Sequence, residues 1–221
     1  MTNPNNNQAT PVHATLLVAP ACPHCPQIKQ VLTELQAQGQ LDSLELVDIS
    51  TDLERAEQLG VRTVPWCQLN SLELQGAHSR DEIVYWVKQA ARQDGRQQLF
   101  DSLLEVGQLS QVESMLRRHP DAMSDLLVLF ADQERQINVR IGASAVLESL
   151  QGSGLLEQTV NQIGSHTQDH NVSTRIDACH VLSFIRHPSA INFLSQALED
   201  SDAEVREVAQ ESINELTKVA D

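Results

Sequence analysis

The sequence predicts an α/β domain over residues 13–95 followed by an all-α domain of repeated helices over 96–221, after a flexible lead-in at 1–12. Three observations carry this. Apolar runs of strand and helix character follow one another in the order β-α-β-α-β-β-α as far as Gly95. Beyond Gly95 the strand signals stop and the apolar patterns take helical spacing. Within that second stretch a pattern recurs: Val139 to Leu147 resembles Thr174 to Leu182, and Val205 to Ala209 repeats its start.

Each element has its own signal. Ala14 to Ala19 is a short apolar run stopped by Pro20, a buried strand. Ile28, Val31, Leu32 and Leu35 then recur at helical spacing over 27–38, and Gly39 is the stop. Leu44 to Ile49 reads as a strand with both faces partly buried. Thr51 or Asp52 caps a short helix through Leu59, ended by Gly60. Residues 66–69 and 72–75 form two strands joined at Asn70-Ser71. Ser79, with Glu82 three residues on, forms a capping box for a helix that turns Ile83, Val84, Trp86 and Val87 inward. The later helices are expected at 97–106, 109–118, 121–131, 138–150, 154–164, 172–186, 188–199 and 203–218.

Composition excludes several functions. The 221 residues carry a net charge of −15, split as −5 over 1–95 and −10 over 96–221. Phosphate binding needs Lys and Arg, so nucleic acid is not an expected partner, and anionic membranes are disfavoured for the same reason. No run approaches the roughly 20 apolar residues of a spanning helix. Met1 to Pro11 has no basic region followed by an apolar run, so a cytoplasmic location is expected. With 41% of residues hydrophobic but only 3% aromatic, the cores must be built from Leu, Val, Ile and Ala.

The chemistry sits at Cys22-Pro23-His24-Cys25, between the first strand and the first helix. Unpaired backbone N–H groups and the helix dipole favour a thiolate there, so Cys22 is expected to have a lowered pKa. Cys25 lies one turn along, within disulfide reach. Cys22 is therefore the attacking thiolate and Cys25 the resolving thiol. His24 favours the thiolate by donating a hydrogen bond or carrying charge near it. Pro23 suits a first helical position, and Pro26 is less well placed because it removes a first-turn donor.

Residues 14–93 resemble a thioredoxin-fold domain. The resemblance rests on the strand–CPHC–helix unit, on Gly60-Val61-Arg62-Thr63-Val64-Pro65, and on Gly76-Ala77-His78-Ser79. It implies that Pro65 is cis and that the Val64 backbone pairs with an extended substrate segment. It implies a substrate groove of Thr63, Val64, Pro65 and Trp66, with Gly60 and Gly76 structural. Ala21 stands where the family usually has tryptophan, and Leu16 and Leu17 occupy the strand where many members keep a carboxylate. The Pro23-His24 dipeptide is the one seen in periplasmic disulfide-forming oxidases. The second half, with Arg140, Arg175 and Arg206 each six residues after an acid (Glu134, Asp169, Asp200), resembles HEAT repeats of the short bacterial type. The match is best at 200–216, and the first three helices after Gly95 are either degenerate repeats or an adaptor.

Several residues admit competing roles. A zinc site needs about four ligands, and Cys67 with His24 or His78 could complete one at the CxxC, but no second CxxC exists, so no metal and no cofactor are expected. Cys67 and Cys179 are expected in the core, with Cys67 also a candidate third thiol. His166, His170, His180 and His187 fall on different turns and are not expected to share a metal. The arginines are expected to pair with the preceding acids and tie adjacent units. The whole reads as a thiol–disulfide oxidoreductase whose repeats dock a protein disulfide or dithiol client, recharged by a thioredoxin-reductase-like or glutathione-linked reductant. The alternative is a redox-sensing scaffold or assembly factor in which the dithiol gates binding by the repeats.

Overall fold

The computed structural model describes residues 10–218, so the lead-in expected at 1–12 lies for the most part outside the described residues. The chain divides into two compact units, with the boundary between Leu99 and Phe100.

The first unit contains β1 (His13–Val18), α1 (Cys25–Ala37), β2 (Ser43–Asp48), α2 (Leu53–Gln58), β3 (Trp66–Leu69), β4 (Leu72–Gln75) and α3 (Arg80–Ala90). The strands form one sheet in the order β2-β1-β3-β4. β1 runs parallel to β2, while β1–β3 and β3–β4 are antiparallel. Register sets the faces: Leu17 stands beside Val47 and Trp66, and Leu16 stands beside Cys67, which itself pairs with Leu74. The Leu17 face is closed by Ala56 of α2, with Ile49, Leu59, Val61 and Val64 around it. α1 and α3 pack on each other and on the sheet, and α1 buries Ile28, Val31, Leu32 and Leu35.

β2 differs from its expected burial. Val47 is buried, Leu44 is half-buried and Leu46 is 42% exposed. The strand is a sheet edge, and the cluster beneath α2 takes in Val47 alone of its residues. The hairpin turn lies at Asn70, whose φ of 51° is a left-handed conformation that Asn tolerates. Its side chain ties three segments: Nδ2 donates to the Pro11 and Ala90 carbonyls, and Oδ1 accepts from the His13 N–H. α3 opens on a full capping box, in which Ser79 Oγ accepts from the Glu82 N–H and the Glu82 carboxylate accepts from the Ser79 N–H.

The second unit is helical. α4 (Gly95–Glu105) runs into it and is followed by α5 (Leu109–Arg118), α6 (Met123–Ala131), α7 (Ile137–Ser149), α8 (Gly154–Gln158), α9 (Val160–Ser165), α10 (Val172–Leu182), α11 (Pro188–Ala197) and α12 (Ala203–Lys218). The helix expected at 154–164 is broken at Thr159, whose hydroxyl donates to the Leu156 carbonyl. The one expected at 172–186 stops at Leu182, where successive amides bond back three residues, and Pro188 starts the next helix. A short 3₁₀ turn, Pro120–Ala122, precedes α6.

α7, α10 and α12 carry the recurring pattern, and none of their arginines pairs with the carboxylate six residues before it among the described residues; Arg140 and Arg175 pair forward instead. Arg140 bonds Asp177 on α10 at 3.2 Å. Arg175 makes a two-armed pair with Asp200 of the following unit, at 2.8 and 2.9 Å. The preceding loop supplies backbone carbonyls instead: Asp169 and His170 for Arg175, Asp200 and Ser201 for Arg206. Arg175 and Arg206, near their helix starts, reach the loop carbonyls behind them. The remaining donors of Arg175 reach the neighbouring unit at Asp200.

Candidate redox site

The site forms where β1 ends. Past Val18 the chain turns, and the Cys22 N–H donates to the Ala19 carbonyl at 3.1 Å. Pro23 and His24 follow in a bend, with His24 at the N-cap position and Cys25 as the first residue of α1. Pro23 therefore precedes the helix rather than opening it. Pro26 occupies the first turn of α1. Amides there have no partner within the helix, so its missing N–H forfeits no hydrogen bond.

Cys22 and Cys25 form a disulfide with Cα atoms 5.5 Å apart. Cys22 is half-buried, whereas Cys25 is buried. The Cys25 N–H points at Cys22 Sγ, 3.1 Å away. A donor fixed on the sulfur stabilises negative charge there when the pair is reduced. The sequence expected backbone N–H groups here, and the earlier helix start, at Cys25 rather than Gln27, identifies the donor as the Cys25 amide. The His24 ring is exposed and makes no hydrogen bond among the described residues.

The second wall follows from the strand register. Leu17 pairs with Trp66, so the residue before Trp66 comes level with Val18, at the end of the sheet where the dithiol turn leaves. The Val64–Pro65 bond is cis. Gly76, at φ 85°, donates its N–H to the Pro65 carbonyl at 2.9 Å and so locks the ends of β3 and β4 together. Gly60, at φ 66°, closes the α2 turn. The φ value at each position favours glycine. Thr63 is exposed and Val64 half-buried, and the Val64 N–H and carbonyl have no partner among the described residues. Trp66 is placed differently. Its side chain is 2% exposed, packed in the Leu17 cluster against Val64, and its indole N–H is buried without a partner among the described residues. It supports the wall from beneath.

The other singled-out residues lie elsewhere. Cys67 is buried, and desolvation pushes its thiol up to about 12. That leaves it protonated and unreactive near neutral pH. Burial likewise pushes Cys179 up to about 11, and the Ser212 hydroxyl donates to its carbonyl. His78 is half-buried, with both ring nitrogens enclosed and unpartnered among the described residues. His166 lies edge-on to Phe130 and burial lowers its pKa, His170 sits beside Asp169, His180 meets Phe184, and His187 caps α11. No group of three or more His, Cys, Asp or Glu side chains suited to a metal occurs among the described residues. None of the described helices is long and apolar enough to cross a membrane.

Comparison with known proteins matches the two units to two families. The thioredoxin domain profile covers residues 13–88, and the HEAT repeat profile covers 124–214. A probable thioredoxin of Methanothermobacter thermautotrophicus is 32% identical over 74 residues, which are 33% of this chain and 87% of that protein. The thioredoxin of Methanocaldococcus jannaschii is 30% identical over 80 residues, 35% of this chain and 93% of that one.

Proposed function

Because the chain belongs to the thioredoxin family through its first unit and carries HEAT repeats after it, we propose that it is a thiol–disulfide oxidoreductase whose repeats dock a protein client. The carrying observation is the half-buried Cys22 sulfur, held by the Cys25 N–H at the start of α1.

In the reducing direction, the Cys22 thiolate attacks one sulfur of a client disulfide. A Cys22–client bond forms, the client S–S bond breaks, and the departing client thiolate takes up a proton. Cys25 then gives up its proton and attacks Cys22 Sγ, which releases the second client thiol and leaves the Cys22–Cys25 disulfide. Two electrons have passed to the client. A dithiol reductant, thioredoxin-reductase-like or glutathione-linked, returns them. The unpaired Val64 backbone suits an extended client segment, which would add its own N–H and C=O across the groove. Docking on the repeats raises the client's effective concentration at the dithiol without a new contact at the sulfurs.

The test is a pair of variants. Cys25→Ser should accumulate a mixed disulfide with a peptide disulfide, and Cys22→Ser should form none. If the Cys22–Cys25 pair shows no reversible oxidation against a glutathione buffer, the enzyme reading fails. A partner affinity that changes with oxidation state, without any mixed disulfide, would identify the redox-sensing scaffold instead.

A further inference from the structure

The helical unit carries an apolar ridge that its own fold leaves uncovered. On α7, Val139, Gly142, Ala143, Val146 and Leu147 face inward. Ile137 and Ile141, one turn apart on the opposite face, are 62% and 61% exposed. Beside them Val106 is 70% exposed. Its place is fixed by Glu105, whose carbonyl accepts from Asn138 Nδ2 and whose carboxylate accepts from Gln136 Nε2. The ridge continues at lower exposure on α10, where Val172 and Ile176 occupy the positions equivalent to Ile137 and Ile141. It ends on α12, where those positions hold Ala203 and Glu207.

The rim has one sign of charge. Glu148 extends the same helical stripe as Ile137 and Ile141, Glu105 lies beside Val106, and Glu134 precedes the helix; all three are exposed. None pairs with a Lys or Arg among the described residues. Both nearby cations are already engaged, Arg140 by Asp177 and Arg135, next to Glu134, by Asp101 and Asp132. Exposed apolar side chains scattered singly are ordinary, whereas contiguous ones mark an interaction surface. An apolar ridge with an anionic border fits an apolar stripe bordered by cations.

The geometry points to Val106, Ile137 and Ile141 as a docking ridge for an amphipathic helix of the client whose apolar stripe is flanked by Lys or Arg. This deepens the proposed function and rests on it only in taking the occupant to be the client. The probe is a fluorescent Leu/Lys peptide with its leucines at helical spacing, titrated against the full chain. A scrambled Leu/Lys peptide and a Leu/Glu helix of the same pattern serve as controls. The Leu/Lys helix should bind at least about tenfold more tightly than either control. Ile137→Ser/Ile141→Ser should weaken it at least about tenfold, and Glu148→Lys, which leaves the apolar ridge intact, should weaken it severalfold. Equal affinity of the double variant, equal binding of the scrambled peptide, or no binding overturns the ridge. A second measurement separates this from the oxidoreductase reading. The same peptide carrying a disulfide should be reduced faster than a small disulfide by the parent chain, and no faster by the double variant. Tight, ridge-dependent binding without that rate advantage sustains the ridge and overturns client docking at the dithiol.

Discussion

Reactivity divides the four cysteines by their surroundings. Cys22 keeps part of its surface in solvent and has a backbone N–H on its sulfur, whereas burial raises the Cys67 thiol, and at Cys179 burial and the Asp200 carboxylate outweigh the Arg175 guanidinium. Reduced native protein should therefore be alkylated at Cys22 near neutral pH, with Cys67 and Cys179 labelled only on unfolding. Peptide mapping after timed alkylation checks this, and native labelling of Cys67 would contradict it. The raised thiol pKa values also set an alkaline limit. A thiol whose folded pKa lies above its unfolded value of about 8.5 stabilises the fold fully below that value. The contribution is lost as pH rises toward about 11 for Cys179 and about 12 for Cys67. Stability should accordingly fall above pH ~9, and Cys67→Ala/Cys179→Ala should flatten that part of the profile. The CxxC spacing was legible in the sequence. The burial of Trp66 was not, because a tryptophan beside a groove motif reads equally as wall or as core until the register places it next to Leu17.

Elements whose signals are local were legible to within a residue or two. The Ser79–Glu82 capping box is such a case, since its donors and acceptors lie three residues apart. Ser79→Ala should cost about 1 kcal/mol in chemical denaturation. A loss well below half of that would mean that solvent caps α3 equally well. Asn70 carries more than its turn. Asn70→Gly keeps the left-handed backbone but removes three hydrogen bonds linking β1, the N-terminal segment and α3. Each such bond is worth about 1 kcal/mol, so Asn70→Gly should destabilise the first unit by about 3 kcal/mol, and a neutral effect would refute the tie. Helix breaks at Thr159 and Leu182 escaped periodicity, because the apolar stripe continues across both while the backbone tightens.

At the scale of the molecule, the repeats are joined by ion pairs that link one unit to the next. Arg175 and Asp200 are only 10% and 11% exposed at their side chains and meet through two parallel bonds. Removing one partner leaves the other charge buried, so Arg175→Ala should destabilise the helical unit by about 3 kcal/mol. The Arg175 hydrogen bond holds the Asp200 carboxyl below its usual range. A lowered folded pKa contributes stability above the unfolded value of about 3.9, and that stability is lost as pH falls through the folded value. Thermal unfolding of the full chain should lose stability below pH ~4, and Asp200→Asn should remove part of that slope. An unchanged slope would assign the acid sensitivity to other carboxylates.

Neighbours along the chain are enough to fix the order of elements, the change to all-helix after Gly95, the recurrence of the Val-Arg pattern, and the place of a CxxC between strand and helix. Those signals are short-range, because capping, periodicity and turn chemistry act within a few residues. Packing between distant segments settles which side of the sheet Trp66 and Cys67 occupy, which acid Arg140 and Arg175 each choose, and which apolar residues remain uncovered at Val106, Ile137 and Ile141. These depend on register and stacking between segments tens of residues apart, where one shift of pairing moves a side chain from core to solvent.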